Sequence, residues 1–245
     1  MIRWMWAFLD LTADDVDGAL PFWMEVSGTT LSAWRGPESQ FATLLPVEGD
    51  PWVKVQRVGG SGGVHVDLDV DDIERSARWA ETLGATVVDE LDDVIVLRSP
   101  GGFPFCVTSW DDAERPSDQV RTGQAELLDQ VCLDIPAGVY EAESAFWAAL
   151  TGWELLRGAL AEFEFLPRPT GLPLRLVLQR LGEVTGEVRG HLDVACVDVA
   201  AATARHQSLG AVVVDRRRLW TVMHDPVGRP YCLTGRDPET GLRRP

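Results

Sequence analysis

The stretch Val64–Val70, which reads VHVDLDV, decides the fold of this chain because a related stretch returns later. His65 and the residues after it match His191–Val197, HLDVACV, at an offset of 126 positions. The same offset carries Leu83–Asp89 (LGATVVD) onto Leu209–Asp215 (LGAVVVD). Because the matches recur in the same order along the chain, we interpret the sequence as a tandem duplication.

Each half of the duplication contains a finer pattern. Apolar and polar residues alternate with a period of two in Val64–Val70, which is typical of a strand. Asp71-Asp72 then supplies the cap of a helix that Gly84 ends. Three short strands follow at 85–89, 94–98 and 103–108. Because the other quarters follow the same βαβββ plan, we predict an α+β fold of four modules. The two halves are 1–112 and 126–240, joined by a polar linker at 113–125.

The composition narrows the possible partners. Lys and Arg number 22 against 38 Asp and Glu, which gives a formal net charge of −16. Nucleic acids and anionic membranes would repel such a chain, so we predict neither as a partner. The four cysteines form no CxxC pair, which argues against zinc-ribbon and thioredoxin-like sites. The N-terminus reaches Asp10 too early for a signal-peptide core, and no apolar run approaches ~20 residues. We therefore expect a cytoplasmic protein with reduced thiols.

Two stretches within this plan resemble a known family. His65–Asp72 (HVDLDVDD) and Trp220–Leu233 (WTVMHDPVGRPYCL) are similar to the glyoxalase-like branch of the vicinal oxygen chelate superfamily. That superfamily includes glyoxalase I, extradiol dioxygenases and bleomycin-resistance proteins. The resemblance implies two tandem glyoxalase-like half-barrel domains, each with an open cleft. In metal-using members, two histidines with one or two glutamates hold a divalent ion that chelates adjacent oxygens of the substrate.

Strand alternation selects the side chains that enter each cleft. His65 and Asp67 point away from the apolar face of their strand, and His191 and Asp193 do the same in the fourth module. The resemblance implies a metal-binding histidine at both His65 and His191. If the protein is an enzyme, we predict His65 and Asp67 as its catalytic residues. His206, on a predicted helix, is expected to be solvated.

The remaining ligand positions implied by the resemblance hold residues that are not usual metal ligands: Trp6, Gln56, Pro104, Gln130, Gln179 and Pro230. Asp67 and Asp193 each lie two residues from a histidine, a Cα separation of ~6.6 Å, which we expect to keep them out of one ligand set. Since a stable divalent site takes three or more ligands, we predict no cofactor, the alternative being a divalent metal on an incomplete ligand set. In a purely structural interpretation, each imidazole is hydrogen-bonded to Gln56 or Gln179.

An aromatic surface in the first cleft suits a flat organic ligand. The first-cleft residues predicted to bind substrate are Trp4, Trp6, Phe8, Trp52, Lys54, Gln56 and Cys106. The second-cleft residues predicted to do so are Gln130, Gln179, His191 and Asp193. We therefore predict a metal-independent binding protein of the bleomycin-resistance kind, which holds an aromatic or planar ligand in the cleft of domain 1.

Other functions stay open at this stage. One alternative is a vicinal oxygen chelate enzyme, with or without metal assistance: a lyase, isomerase or dioxygenase acting on a small oxygen-rich substrate, with His65 as base or ligand. Another is an interaction module whose clefts are filled by Trp6 and Trp52. A cysteine–histidine nucleophile using Cys106 or Cys232 is a further alternative. We expect a small-molecule ligand as partner and a monomer or homodimer. The half-barrels can be closed by modules 1 with 2 and 3 with 4, or by modules 1 with 4 and 2 with 3.

Overall fold

The fold consists of four βαβββ modules in a computed structural model that describes residues 1–110 and 124–243. The first module contains β1 (Ile2–Thr12), α1 (Ala13–Ser27), β2 (Thr29–Leu31), β3 (Phe41–Pro46) and β4 (Val53–Val58). The second contains β5 (Gly63–Val70), α2 (Ile73–Thr82), β6 (Thr86–Leu91), β7 (Val94–Arg98) and β8 (Pro104–Ser109). The third contains β9 (Glu126–Ile135), α3 (Tyr140–Thr151), β10 (Leu156–Arg157), β11 (Phe163–Leu166) and β12 (Arg175–Arg180). The fourth contains β13 (Arg189–Cys196), α4 (Val199–Ser208), β14 (Val212–Arg216), β15 (Trp220–His224) and β16 (Pro230–Thr234).

The predicted linker at 113–125 lies almost entirely outside the described residues. The domain boundaries drawn on either side of it therefore stay a prediction. Within the described ranges, no helix is both long enough and apolar enough to cross a membrane.

Local sequence accounts for the start of the second and fourth modules. On β5, Val66 and Leu68 are buried on the apolar face that the alternation predicts. Asp72 caps α2, because its carboxylate accepts a hydrogen bond of 2.9 Å from the backbone N–H of Arg75. Asp198 caps α4 in the same way. The predicted cap is confirmed, and the two copies of the repeat use the same signal.

The strands of the described chain form two eight-stranded sheets, which confirms the predicted α+β fold. Their orders are β2-β3-β4-β1-β5-β8-β7-β6 and β10-β11-β12-β9-β13-β16-β15-β14. Each sheet joins two consecutive modules. In the first sheet, β5 runs parallel to β8 with Asp67 beside Cys106, and in the second, β13 runs parallel to β16 with Asp193 beside Cys232. Paired residues of parallel strands share a face, so each aspartate has a cysteine as its neighbour.

By their packing, the residues group into two compact units. Unit 1 comprises the described residues of Met1–Phe8, Val64–Arg115 and Val131–Gly190. Unit 2 comprises those of Leu9–Gly63, Pro116–Gln130 and His191–Pro245. Helices α2 and α3 thus belong to unit 1, and α1 and α4 belong to unit 2. The sheets join modules 1 with 2 and 3 with 4, whereas the units combine modules 2 with 3 and 1 with 4. Which modules close a cleft together stays a prediction.

The core of unit 1 centres on Trp147 of α3, which is fully buried. Its ring contacts Phe105 at 5.3 Å between centroids and Phe103 at 6.0 Å, both edge to face. Its indole Nε1 donates a 2.8 Å hydrogen bond to Glu143, which also accepts from the backbone N–H of Gly101 at 2.7 Å. Burial raises the pKa of Glu143. These contacts tie α3 to the end of the second module.

The core of unit 2 uses the equivalent residues of the repeat. Trp23 of α1 packs edge to face on Tyr231, with 5.3 Å between centroids, and donates from Nε1 to Asp225 at 3.0 Å. Phe22 contacts the ring of His206 at 5.6 Å. Phe22-Trp23 on α1 and Phe146-Trp147 on α3 are the same two residues at an offset of 124 positions. This Phe-Trp pair therefore anchors the core of each unit.

Candidate functional site

His65 and Asp67 approach each other closely on β5. Both side chains are buried, and His65 Nε2 lies 3.5 Å from Asp67 Oδ1. The expectation that their spacing along the strand keeps them out of one ligand set is wrong. Side chains two residues apart point to the same face, and an imidazole and a carboxylate are long enough to converge across the ~6.6 Å between their Cα atoms.

Cys106 completes this cluster from the neighbouring strand. The parallel register of β5 and β8 sets it beside Asp67. One ligand atom from each of His65, Asp67 and Cys106 lies within 4.8 Å of the other two, and all three side chains are buried. A nitrogen, an oxygen and a sulfur donor therefore meet on one face of the sheet within unit 1. We call these three residues the His65 cluster.

Aromatic side chains of β1 adjoin the His65 cluster and its strand. Phe8 stacks on the imidazole of His65, with 4.2 Å between ring centroids and 18° between ring planes. Trp6 donates from Nε1 to Oδ2 of Asp69 at 2.9 Å, and Thr108 donates from Oγ1 to Oδ1 of Asp69 at 2.5 Å. Asp69 is therefore the residue that orients Trp6. It is absent from the predicted site residues, although strand alternation places it on the same face as His65.

The second sheet repeats the arrangement in unit 2. His191 Nε2 lies 3.3 Å from Oδ1 of Asp193 and 3.5 Å from Sγ of Cys232. All three side chains are buried. Gln130 donates a hydrogen bond from Nε2 to Oδ2 of Asp193. Cys232 is also absent from the predicted binding residues, and its position 126 residues after Cys106 is the signal that could have identified it.

The predicted tryptophans take different places. Trp4 is buried in unit 1 and meets Trp6 edge to face, with 6.3 Å between ring centroids. Trp52 is buried in unit 2, where its Nε1 donates a 2.8 Å hydrogen bond to the backbone carbonyl of Leu128. The indole N–H of Trp52 thus donates to a backbone carbonyl. The predicted contribution of Trp52 to ligand binding stays a prediction.

The remaining polar candidates lie on closing strands of the first and third modules. Lys54 and Gln56 are on β4 in unit 2. Gln179 is on β12 in unit 1, where its Oε1 lies 3.9 Å from the thiol of Cys132. Their contribution to a binding site stays a prediction.

A charged cluster in unit 2 surrounds His206. His206 is fully buried, so its predicted solvation is wrong, and its ring nitrogens lie 2.8 Å from Glu126 and 2.8 Å from the hydroxyl of Tyr231. Arg205 also contacts Glu126 at 2.9 Å. Burial alone would raise the pKa of Glu126, but the hydrogen bonds and charges of His206 and Arg205 lower it from 4.5 to about 2.

A second buried ion pair in unit 2 involves Arg236. Its guanidinium donates two hydrogen bonds of 2.5 Å to the two carboxylate oxygens of Asp129. Burial alone would lower the pKa of Arg236, but the charge of Asp129 raises it. Such fork-to-fork pairs are strong and rigid, so both groups are held in place.

A comparison with known protein families detects the same repeat. The family model of the glyoxalase-like domain matches residues 6–108 and again residues 130–234. No curated protein matches the chain in sequence.

Solved structures share the fold at low identity. A Mn(II)-bound glyoxalase from Novosphingobium aromaticivorans is 14% identical with a TM-score of 0.64, covering 99% of this chain and 83% of that one. A 2,2',3-trihydroxybiphenyl 1,2-dioxygenase from Sphingomonas wittichii is 15% identical with a TM-score of 0.63, covering 96% and 90%. A mutant 4-hydroxymandelate synthase from Streptomyces coelicolor is 14% identical with a TM-score of 0.60, covering 98% and 96%.

These findings correct the predicted absence of a cofactor. The sequence argument rested on an incomplete ligand set, but the His65 cluster brings three donors of a metal-binding kind together. One of the similar structures is itself a Mn(II)-bound enzyme. The resemblance inferred from the sequence is confirmed by the family model, which covers most of the chain in two copies. The chain therefore belongs to the glyoxalase-like domain family of the vicinal oxygen chelate superfamily.

Proposed function

We propose that this chain is a metal-dependent enzyme of the vicinal oxygen chelate type, which acts on a small substrate bearing adjacent oxygen atoms. In this proposal, His65, Asp67 and Cys106 hold one divalent ion. The observation that carries it is the convergence of their ligand atoms within 4.8 Å of one another in a buried position.

The donor set fits a catalytic ion. Catalytic zinc sites commonly use three protein ligands and keep a further position for water or substrate. A neutral imidazole, a carboxylate and a thiolate together carry enough charge to hold a divalent cation out of water. In this proposal Cys106 supplies the third ligand, two residues after Pro104, which occupies the ligand position implied by the resemblance.

The ion, when bound, supplies Lewis-acid stabilisation of negative charge on substrate oxygens. Side chains of this chain orient the ligands and the substrate. Phe8 fixes the plane of the His65 imidazole by stacking on it. Asp69 holds Trp6 through its indole N–H, so the ring presents a fixed apolar surface to a planar part of the substrate. The burial of the cluster keeps water away and strengthens each charge interaction.

The similar structures support an enzyme more than a metal-free binding protein. They include a Mn(II)-bound glyoxalase and a dioxygenase acting on a trihydroxybiphenyl. Compounds with neighbouring oxygens, such as catechols and α-hydroxyketones, are therefore the substrates to test first.

Turnover before and after metal removal tests the proposal. The full chain would be stripped with a chelator, restored with Mn²⁺, Fe²⁺ or Zn²⁺, and assayed on these compounds by oxygen uptake and product chromatography. We expect turnover only with an added ion, and a loss of about 100-fold or more in His65→Ala and Cys106→Ala. Cys196→Ala is the matched control, because Cys196 is buried and bonds to the carbonyl of Val194. Equal turnover in the stripped protein would contradict the proposal.

A further inference from the structure

Two strands lie at equivalent ends of the two sheets. β6 is the last strand of the first sheet and β14 is the last strand of the second, and within the described part of the chain neither has a strand on its outer side. Proteins usually protect such edges with charges or bulges, because an open edge can pair with another chain. We call residues 86–92 the β6 edge and residues 212–218, which lie 126 positions later, the β14 edge.

Both edges expose apolar side chains. Val88 and Leu91 on the β6 edge are 56% and 58% exposed, and Val212 and Val214 on the β14 edge are 60% and 51% exposed. The register with the neighbouring strand shifts at the same place in both edges, which marks a β-bulge in each. Because a bulge interrupts regular strand pairing, a partner at either edge is held by side chains rather than by continuous backbone hydrogen bonds.

The charges on the two edges have opposite signs at equivalent positions. Glu90 and Asp92 lie on the β6 edge, and the residues 126 positions later on the β14 edge are Arg216 and Arg218. All four side chains are exposed. The two edges therefore share a strand position and a bulge but differ in the sign of their charge, so that each is complementary to the other.

One ion pair forms within the β14 edge itself. Arg217 pairs with Asp215 at 2.6 Å. We therefore assign Arg216 and Arg218, rather than Arg217, to the recognition of a partner. Three consecutive arginines in a chain with a net charge of −16 also make the β14 edge a local exception to the acidic surface.

We propose that the β6 edge of one copy of this chain binds the β14 edge of a second copy. The exposed valines and Leu91 are buried in the contact, and the acidic side chains of one edge face Arg216 and Arg218 of the other. The net charge of −16 opposes association at long range. Salt screens charges more than about 8 Å apart, whereas charges in contact are screened less.

The proposed contact is small and independent of the proposed function. Stable interfaces bury about 1,200 Å² or more in total, so we expect reversible association with a Kd of about 10–100 µM rather than an obligate assembly. The contact uses none of the residues of the His65 cluster. The inference therefore goes beyond the proposed catalytic ion, and neither depends on the other.

Sedimentation equilibrium of the unmodified full chain tests the proposal first. The average mass would be measured from about 5 to about 500 µM protein, at about 0.15 M and about 1 M salt. We expect the mass to rise above that of one chain with concentration, and to rise less at the higher salt because contact charges are then screened. The mass of a single chain throughout the range would overturn the proposal and would mean that the charges only protect the edges.

Charge reversal on each edge identifies the surface. Arg216→Glu with Arg218→Glu, and separately Glu90→Arg with Asp92→Arg, should each raise the Kd of self-association by about 10-fold or more, because like charges then meet. The second pair makes the net charge less negative. General repulsion alone therefore predicts stronger association of that variant, whereas the proposed contact predicts weaker association.

Mixing the two charge-reversed variants completes the test. Equal amounts should associate with each other about as strongly as the unmodified chain, because the acidic and basic edges are again complementary. Arg180→Glu with Arg189→Glu is the matched control: it changes the net charge as much as the arginine variant, at surface ion pairs outside both edges. We expect it to associate like the unmodified chain.

Failure to associate on mixing, or an equal loss in the control, would overturn the proposal. Circular dichroism shows whether each variant is folded, and the titration of the unmodified chain needs no variant. Because mass is measured without turnover, loss of the proposed catalytic function leaves this result unchanged.

Discussion

Phe8 lies flat on the imidazole of His65, with 4.2 Å between the ring centroids and 18° between the planes. This contact sets the plane of the imidazole, whose Nε2 lies 3.5 Å from Asp67. A ligand whose ring cannot rotate loses less entropy when it binds an ion.

Replacing Phe8 therefore tests whether this contact orients the ligand. We predict that Phe8→Ala weakens ion binding at the His65 cluster by about 10-fold, because the imidazole gains freedom to turn. Competition with a metal-chelating dye measures the affinity. Phe8→Tyr keeps the ring and serves as the control. Equal affinities for Phe8→Ala and the unmodified chain would show that stacking is only packing.

Asp69 should contribute to stability through its hydrogen bonds with Trp6 and Thr108. Asp69→Ala removes the acceptor for both Trp6 and Thr108, so we predict a loss of about 1–3 kcal/mol in the free energy of unfolding. Thr108→Val removes one of the two bonds and should cost about 1 kcal/mol. Urea denaturation measures both. If Thr108→Val costs as much as Asp69→Ala, the hydrogen bond of Trp6 contributes nothing.

Glu126 should make the fold sensitive to acid. Its pKa is about 2 in the folded chain against an ordinary 4.5, so its charge stabilises the folded state fully above the ordinary value. This contribution is lost progressively as pH falls from 4.5 toward 2. We predict that Glu126→Gln costs a few kcal/mol near neutral pH, with the cost shrinking as pH approaches the folded pKa.

Denaturation curves at several pH values measure how the cost of Glu126→Gln in the free energy of unfolding depends on pH. Glu141→Gln is the matched control, because Glu141 pairs with Arg180 on the surface, where its side chain is 80% exposed. A cost for Glu126→Gln that does not change with pH would mean that packing, not charge, explains it.

Trp147 should be among the most costly residues to truncate. It is fully buried among Phe103, Phe105 and Phe146, so we predict that Trp147→Ala lowers the free energy of unfolding by about 3–5 kcal/mol. Trp79 is 49% exposed, and Trp79→Ala should cost much less. Thermal and urea denaturation compare the two variants. Similar losses would mean that burial does not set the cost.

Much of the fold could be predicted because its signals are local. The period of two in β5 and the cap at Asp72 both depend on residues within one turn or one strand. Copies of those signals at a fixed offset were enough to indicate four modules, and the family was indicated by the resemblance of His65–Asp72 and Trp220–Leu233. The candidate histidines, His65 and His191, were found for the same reason, since alternation alone decides which face of a strand they occupy.

The candidate ligand set could not be predicted from these signals. Asp67 lies close to His65 because the two side chains turn toward each other. Cys106 lies close to both because β5 and β8 pair in parallel register. The burial of His206 is another example, because it depends on Glu126 and Tyr231. None of these contacts produces a periodic pattern in the amino-acid sequence.

The sequence by itself determined the modules, their repetition and the polar face of each first strand, because hydrophobic periodicity and helix capping act between near neighbours. Only the tertiary structure decided which donors meet, because strand pairing brings together residues that are far apart in the chain. The same pairing that places Cys106 beside Asp67 makes the His65 cluster, which contains no glutamate, a candidate metal centre.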